Sequence, residues 1–529
     1  MNKNVSVPFD GIQGLKQNFF QDFNAGFSVF LLALPLSLGI AKASEFPAIM
    51  GLTTAIIGGI IGGLLGGSYL TIKGPAAGLI VILVGAVTDF GGGQTGWHMA
   101  CGAIVVASLI QILFGVFKLG KYTEIFPLSA VHGMLAAIGI IIILKQVPIL
   151  LGENPQVMKG MTPFDLIAHI PQFLSGFDLR ATIIGVISLI IMLFWNTFNI
   201  PFVSKLPAPL IVLIFAIPAE LIMDFSHTEP EFTLLHIGNF LNSIKYNADF
   251  SGLQQSGTFI RYVIMFALVG SLEALLTVKA IDMMDPYQRK SDTNKELVAI
   301  GVGNTFAGLL GGLPMISEVA RSTANVNAGA RTRWANIFHG LCILLFVLFA
   351  SQFLELIPNC ALAAMLISVG IKLAHPKEFA HMLEIGKEQL AIFLTTIFFT
   401  LYEDLLVGIL AGMALEMTLH LAHGVAFKHF FSTPVSVSFH DGHYILKLEG
   451  AAVFTNFIRL KDKLDAIPPA NKITLDVSSV QMIDHSALSN IKIFEKKYKE
   501  NGGQFEIVGL DNLKQLSNHE LSTIKKINK

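Results

Sequence analysis

Charge is scarce in this chain. Asp, Glu, Lys and Arg make up only 14% of its 529 residues, and they nearly cancel, leaving a formal net charge of −1. No basic patch interleaved with aromatics is present, so nucleic acid is not expected as a partner. Cysteine is scarcer still. Cys101, Cys342 and Cys360 all lie in apolar runs without CxxC spacing, and they read as small core residues rather than disulfide partners or metal ligands. A glycine-rich phosphate loop and a nucleophile–base spacing are missing too, which argues against an enzyme and against an organic cofactor. No cleavable signal is visible. The polar residues 1–20, with Lys3 and Lys16, read as a cytoplasmic lead-in.

What remains is apolar: 53% hydrophobic residues, 48 glycines and a mean hydropathy of +0.63. These values predict a polytopic α-helical membrane protein with a smaller soluble part, and the glycines suit close helix packing. Apolar segments fall at about 23–42, 47–66, 75–88, 97–117, 124–149, 180–198 and 206–223, then 259–279, 294–310, 314–326, 334–353, 355–373, 388–402 and 404–424. That is seven and seven, within a membrane domain over 21–428 whose halves run from about 21–224 and 257–428. With the N-terminus inside, cytoplasmic connections collect Lys118, Lys121, Lys205, Arg289, Arg331 and Arg333, among others. The opposite side collects Asp89, Glu153, Asp224, Glu229, Glu403 and Asp404. This positive-inside pattern places both termini in the cytoplasm, with the chain multi-pass in the cell (inner) membrane. Between the halves, Ser226 to Ser256 reads as an external loop. Phe164, Ile167, Ile170 and Phe173 suggest a helix lying on the surface.

One stretch organises the rest: Gly311-Gly312-Leu313-Pro314-Met315-Ile316-Ser317-Glu318-Val319-Ala320-Arg321-Ser322. It carries a carboxylate, a guanidinium and hydroxyls among apolar segments. Pro314 suits the first position of a helix beginning partway through the membrane, with its N–H groups and positive dipole end offered to an anion. Gly63-Leu64-Leu65-Gly66-Gly67 and Gly308-Leu309-Leu310-Gly311-Gly312 precede the two short spans, and Lys73-Gly74-Pro75-Ala76 opens the first as Pro314 opens the second. An odd number of spans per half makes the second copy inverted. Two interrupted segments at matching places then point to a transporter binding site. Laid on one another, the pentapeptides set Glu318 opposite Lys73. The two can neutralise each other, or Glu318 can be protonated when substrate binds; Arg321 suits either an oxyanion or Glu318. Glu273 and Thr277, four apart in the eighth span, share a helix face. A carboxylate and hydroxyl there can hold Na⁺ or carry a proton.

After Phe431 the composition changes. Strands are predicted at Val435–Phe439, Tyr444–Leu448, Ile473–Val477 and Gln504–Val508, and helices at Phe457–Leu464, Ala487–Asn501 and Asn512–Ile524. This is a small α/β domain over 433–529.

Taken together, these residues resemble the SulP family of inorganic anion transporters, the sulfate permeases and their relatives. The resemblance rests on Asp22-Phe23-Asn24-Ala25-Gly26 leading to Leu34-Pro35-Leu36-Ser37-Leu38-Gly39, on Lys73-Gly74-Pro75, and on Asn294-Lys295-Glu296-Leu297 through Gly301 and Asn304. Pro314, Arg321-Ser322, Asn325 and Gly329-Ala330-Arg331-Thr332 complete it. The tail resembles a STAS domain at Leu475–Val480 and at Ile483-Asp484-His485-Ser486-Ala487-Leu488. The resemblance implies 14 spans as 7+7 inverted repeats, with spans 1–4 and 8–11 a mobile core and the others a gate domain. It also implies elevator-like transport, a homodimer and a cytoplasmic STAS domain open to a protein partner. By position it places the anion at Lys73, Gly74, Pro75 and Ala76 facing Glu318, Val319, Ala320 and Arg321, with the coupling ion at Glu273 and Thr277. The family often has a small residue where Glu318 stands. Stand-alone STAS regulators have a phosphorylatable Ser after the Asp, whereas here His485 follows Asp484 and Ser486 comes next.

The expected function is therefore secondary active transport of a small oxyanion, sulfate or bicarbonate, coupled to Na⁺ or H⁺. The alternatives are a dicarboxylate carrier of the same family, a nucleobase carrier, and a non-transporting anion sensor signalling through the STAS domain.

Overall fold

The structure is a computed structural model describing residues 7–158, 161–197, 206–223, 225, 240–468, 471–500 and 502–526. Lys205, Asp224, Glu229 and the first part of the Ser226–Ser256 loop, residues 226–239, lie outside the described residues. The chain forms two compact units: residues 1–120 with 138–372, and residues 121–137 with 373–529.

The first unit is helical. Runs of about 20 apolar residues can satisfy every backbone group internally only by coiling. Among the described residues of the whole chain, seven helices are long and apolar enough to cross a bilayer, and shorter apolar helices occur at Ala77–Asp89, Ala208–Met223 and Trp334–Ala350. The first long helix, Gly11–Ala43, reaches back into the expected lead-in; Asp10 caps it, accepting from the Gly11 N–H. Glycine allows close crossings, since a Cβ at Gly59 would stand 2.5 Å from the Gly340 Cα. A helix is present at Pro163–Ser175, over the residues where a surface-lying one is suggested. Thr162 and Asp165 cap each other's backbone there, and Phe164, Ile167 and Ile170 are exposed while Phe173 is buried.

The tenth segment departs from expectation. Pro314 does not begin a helix. Met315–Ser317 forms strand β2, antiparallel to strand β1, Lys73–Pro75, and the helix Val319–Asn327 starts only after Glu318. The third segment does likewise, with Ala77 opening a 3-10 turn that runs into the helix Ile80–Asp89. A two-stranded ribbon in an apolar interior needs its edges satisfied. Asn304 supplies one, accepting from the Met315 N–H at 2.6 Å and donating to the Met315 carbonyl at 3.2 Å. Asn336 supplies the other, accepting from the Lys73 N–H at 3.2 Å.

In the second unit a mixed sheet dominates. β3 (Val435–His440) pairs antiparallel with β4 (His443–Ala452), and β4 lies parallel to β5 (Lys472–Ile483). β5 also pairs with β6 (Gln504–Val508) and, at its end, with β8 (Ile524–Lys526). Helices Phe457–Asp465 and His485–Glu500 bury Phe457, Leu460, Leu464, Leu488 and Ile491 in a core with Leu446, Ile473, Leu475 and Val477. The helix expected at Asn512–Ile524 is absent. Leu513–Gln515 forms β7, antiparallel to β8, because Ser517-Asn518 and Ser522 make a turn: the Ser517 N–H donates to the Ser522 hydroxyl and the Leu516 N–H to the Thr523 carbonyl.

Candidate functional site

The β1–β2 ribbon brings the two helix starts together. Its register sets Lys73 against Ser317, Gly74 against Ile316 and Pro75 against Met315. The expected pairing of Lys73 with Glu318 is therefore one residue out. Side chains alternate along a strand, so a one-residue difference sends them to opposite faces. Lys73 turns to Glu296, with Nζ 3.0 Å from Oε1 and 2.9 Å from Thr71 Oγ1. Glu296 accepts in addition from the Gly67 N–H at 2.8 Å, the Ser68 N–H at 3.1 Å and Ser317 Oγ at 2.6 Å. Both side chains are buried and fully engaged. The Lys73 ammonium is committed to this network.

Glu318 instead caps the helix Val319–Asn327, its Oε2 accepting from the Arg321 N–H at 2.9 Å. It is partly buried, Val319 is exposed, and Ala320 is intermediate. Arg321 is 0% exposed, and none of its three guanidinium nitrogens has a hydrogen-bond partner among the described residues. Its nearest counter-charge is Glu318 Oε2, 3.6 Å from Nε, which is beyond a good hydrogen bond. The guanidinium lies against Gly74, where any Cβ would overlap Nη1. Ala76 is buried beside it in sequence, the last residue before the helix turns.

Glu273 belongs to the same site. In the helix Ser256–Met284 it is 6% exposed, with Thr277 buried one turn on. Its carboxylate presses on Gly78, in the first turn after β1, where a Cβ would overlap Oε1. That oxygen has no hydrogen-bond partner among the described residues, and Glu318 is close enough for the two carboxylates to repel. A carboxylate at a helix start faces the positive end of its dipole. The structure thus gathers Gly74, Pro75, Ala76, Glu318 and Arg321 with Glu273.

Three contributors escaped sequence reasoning as site residues. Glu296 stood in the signature stretch without a role. Asn336 and His339 lie in the helix Trp334–Ala350, and the His339 ring is buried near enough to feel the Arg321 charge, one turn from the Asn336 carbonyl. A lone imidazole in an otherwise apolar run was the available signal. In the STAS-like region, Ser486 is 2% exposed and its Oγ accepts from the Leu128 N–H at 3.0 Å. Burial pushes the neighbouring His485 imidazole down to about 4, and its Nδ1 lies 2.8 Å from the Leu521 carbonyl.

A model of the sulfate permease family matches residues 19–396, and a STAS domain model matches residues 434–513. A lysine exporter LysO model matches residues 335–473, straddling the other two. The chain is 27% identical over 524 residues to the putative sulfate transporter YvdB of Bacillus subtilis, covering 97% of this chain and 96% of that one. It is 26% identical over 404 residues to the bicarbonate transporter BicA of Picosynechococcus, covering 75% and 69%. Among solved structures, the transmembrane domain of a cyanobacterium bicarbonate transporter BicA matches with a TM-score of 0.63 at 23% identity, over 77% of this chain and 100% of that one. SLC26A9 matches with a TM-score of 0.65 at 15% identity, over 94% and 85%. At such identities the likeness is one of fold, a helical membrane transporter.

Proposed function

Because this chain belongs to the sulfate permease family and ends in a STAS domain, we propose that it is a secondary active transporter of a small inorganic oxyanion, sulfate or bicarbonate, coupled to Na⁺ or H⁺. The observation that carries the reading is Arg321: a fully buried guanidinium whose three nitrogens are unpartnered among the described residues, lying on Gly74 between the two helix starts. A planar fork with free donors fits an oxyanion in two parallel bonds. The YvdB and BicA relatives, named for sulfate and bicarbonate, supply the two substrates.

Charge balance supports coupling. Lys73 and Glu296 cancel, and Arg321 is matched by Glu318, whereas Glu273 is close enough to Glu318 to repel it, so the ionised site already carries one net negative charge. An anion arriving alone would add to it in a medium of low dielectric. A proton on Glu273 or Glu318, or Na⁺ held by Glu273 and Thr277, would restore balance. In this reading the membrane domain spans 21–428 in the inner membrane and works by elevator-type alternating access. Both termini are cytoplasmic, and the protein is a homodimer whose STAS domain, 433–529, meets a cytoplasmic partner.

The test is uptake of labelled sulfate and bicarbonate into proteoliposomes under imposed Na⁺ or proton gradients, for wild type and Glu273→Gln. Na⁺-driven uptake lost in the variant makes Glu273 a cation ligand. Proton-driven uptake makes a carboxylate the proton carrier. Absence of flux for both anions under every gradient would overturn the reading in favour of a dicarboxylate carrier or a sensor that binds without transport.

A further inference from the structure

A second cluster of ionisable side chains lies far along the sequence from the anion site, within the second unit. Glu416 and His420 sit one turn apart near the end of the helix Leu405–Ala422, and Asp484 follows β5 directly. None of the three is more than 2% exposed. His420 Nε2 lies 3.8 Å from Glu416 Oε1 and 3.9 Å from Asp484 Oδ2, and the potential ligand atoms of all three lie within 4.8 Å of one another. Neither separation is a hydrogen bond. Both Glu416 oxygens and His420 Nδ1 lack any hydrogen-bond partner among the described residues.

The surroundings fix the geometry. Asp484 is held by the Phe454 N–H at 2.6 Å and the Ala487 N–H at 2.7 Å. The His420 ring stacks against Phe430, with centroids 6.1 Å apart, and Phe454 lies at the same distance on a tilt. Two carboxylates and an imidazole are thus converged in an apolar box without bonding to each other. Buried groups of this kind are costly unless paired or bound to a metal.

We propose that Glu416, His420 and Asp484 bind a single divalent transition-metal ion of the zinc type, clamping the last long apolar helix to the start of the helix His485–Glu500. Ligand atoms of tetrahedral zinc stand roughly 3.4 Å apart, so the His420 nitrogen needs to approach each carboxylate by about half an ångström, and the widest separation of the three, no more than 4.8 Å, closes by about 1.4 Å at most. One nitrogen and two carboxylates supply the donors and cancel the ion's charge. The imidazole selects zinc-like ions over Mg²⁺ or Ca²⁺, which take oxygen ligands.

The decisive experiment uses the purified full-length protein in detergent, stripped with chelator, reloaded with Zn²⁺ and desalted, with bound metal measured by mass spectrometry. The expected result is about one zinc per chain in wild type and in His423→Ala, one turn beyond His420 and paired with Glu388 of the helix Lys387–Tyr402, and background levels in His420→Ala and Asp484→Asn. Because either variant can fail to fold, Co²⁺ loading of wild type alone gives a second readout: visible ligand-field bands indicate mixed nitrogen and oxygen coordination. Monodisperse wild type that retains no zinc and shows no cobalt bands overturns the proposal. So does equal retention of zinc in a folded His420→Ala variant.

Discussion

Lys73 and Arg321 are the two fully buried cations flanking the paired strands, and they have opposite fates. Lys73 ends in a closed network with Glu296, Thr71 and the hydroxyl and amides around them. Arg321 ends with its guanidinium nitrogens unpartnered among the described residues and one carboxylate at 3.6 Å. The two interrupted segments have therefore divided the work. One cation has its counter-charge built in and locks the ribbon to the helix Thr293–Leu309. The other leaves its hydrogen-bonding capacity unused among the described residues, which in the proposed function is what the anion takes up. Burying a charge with incomplete partners costs stability, and sites that must bind an exchangeable ion accept that cost.

The largest effect should come from breaking the closed pair. Lys73→Met leaves Glu296 buried with its charge uncompensated, and should cost about 3–5 kcal/mol, read as a fall in thermal unfolding temperature in detergent. The double change Lys73→Met with Glu296→Met should recover much of that loss. If the single variant unfolds at the wild-type temperature, the pair is not a lock. Arg321→Gln should behave in the opposite way: near-normal unfolding, with anion uptake reduced on the order of a hundredfold, the scale of about 2.7 kcal/mol for two charge-assisted bonds. Uptake by Arg321→Gln close to wild type would remove the guanidinium from the binding role.

How much of this was legible beforehand varies with the reach of the interaction. The long helices were readable because about 20 consecutive apolar residues are a local signal. Glu273 stood out for the same reason, as a carboxylate in such a run. The ribbon was not readable. Three-residue strands show no periodicity, and β1 and β2 find each other across more than two hundred residues of chain, so the local sequence makes Pro314 look like a helix start. The Lys73–Glu296 pair was hidden likewise, since only the ribbon's register decides which face Lys73 takes. At Asn512–Ile524, Leu513, Leu516 and Ile524 mimic helical spacing, yet pairing of β8 with the end of β5 and the Ser517–Ser522 turn prevailed.

A smaller effect should separate the ribbon from its side chains. Asn304 is the backbone surrogate along β2 and donates as well to Gln111 Oε1 at 2.9 Å. Asn304→Leu keeps the size but strands the Met315 N–H and carbonyl, at a cost of about 1–3 kcal/mol in unfolding experiments. Uptake should fall with it, because the two helix starts are held in place by that strand.

Gly74→Ala sharpens the contrast most finely, because it touches Arg321 while leaving the Lys73 network alone. The added methyl would overlap Arg321 Nη1, so the guanidinium must shift off the strand. The partners of Lys73 lie on the other face of β1 and should not notice. The expected outcome is a roughly tenfold rise in the KM for the anion, about 1.4 kcal/mol, with an unfolding temperature close to wild type. A fall in stability with unchanged KM would mean instead that the contact with Gly74 holds the ribbon together and that Arg321, like Lys73, is a structural cation.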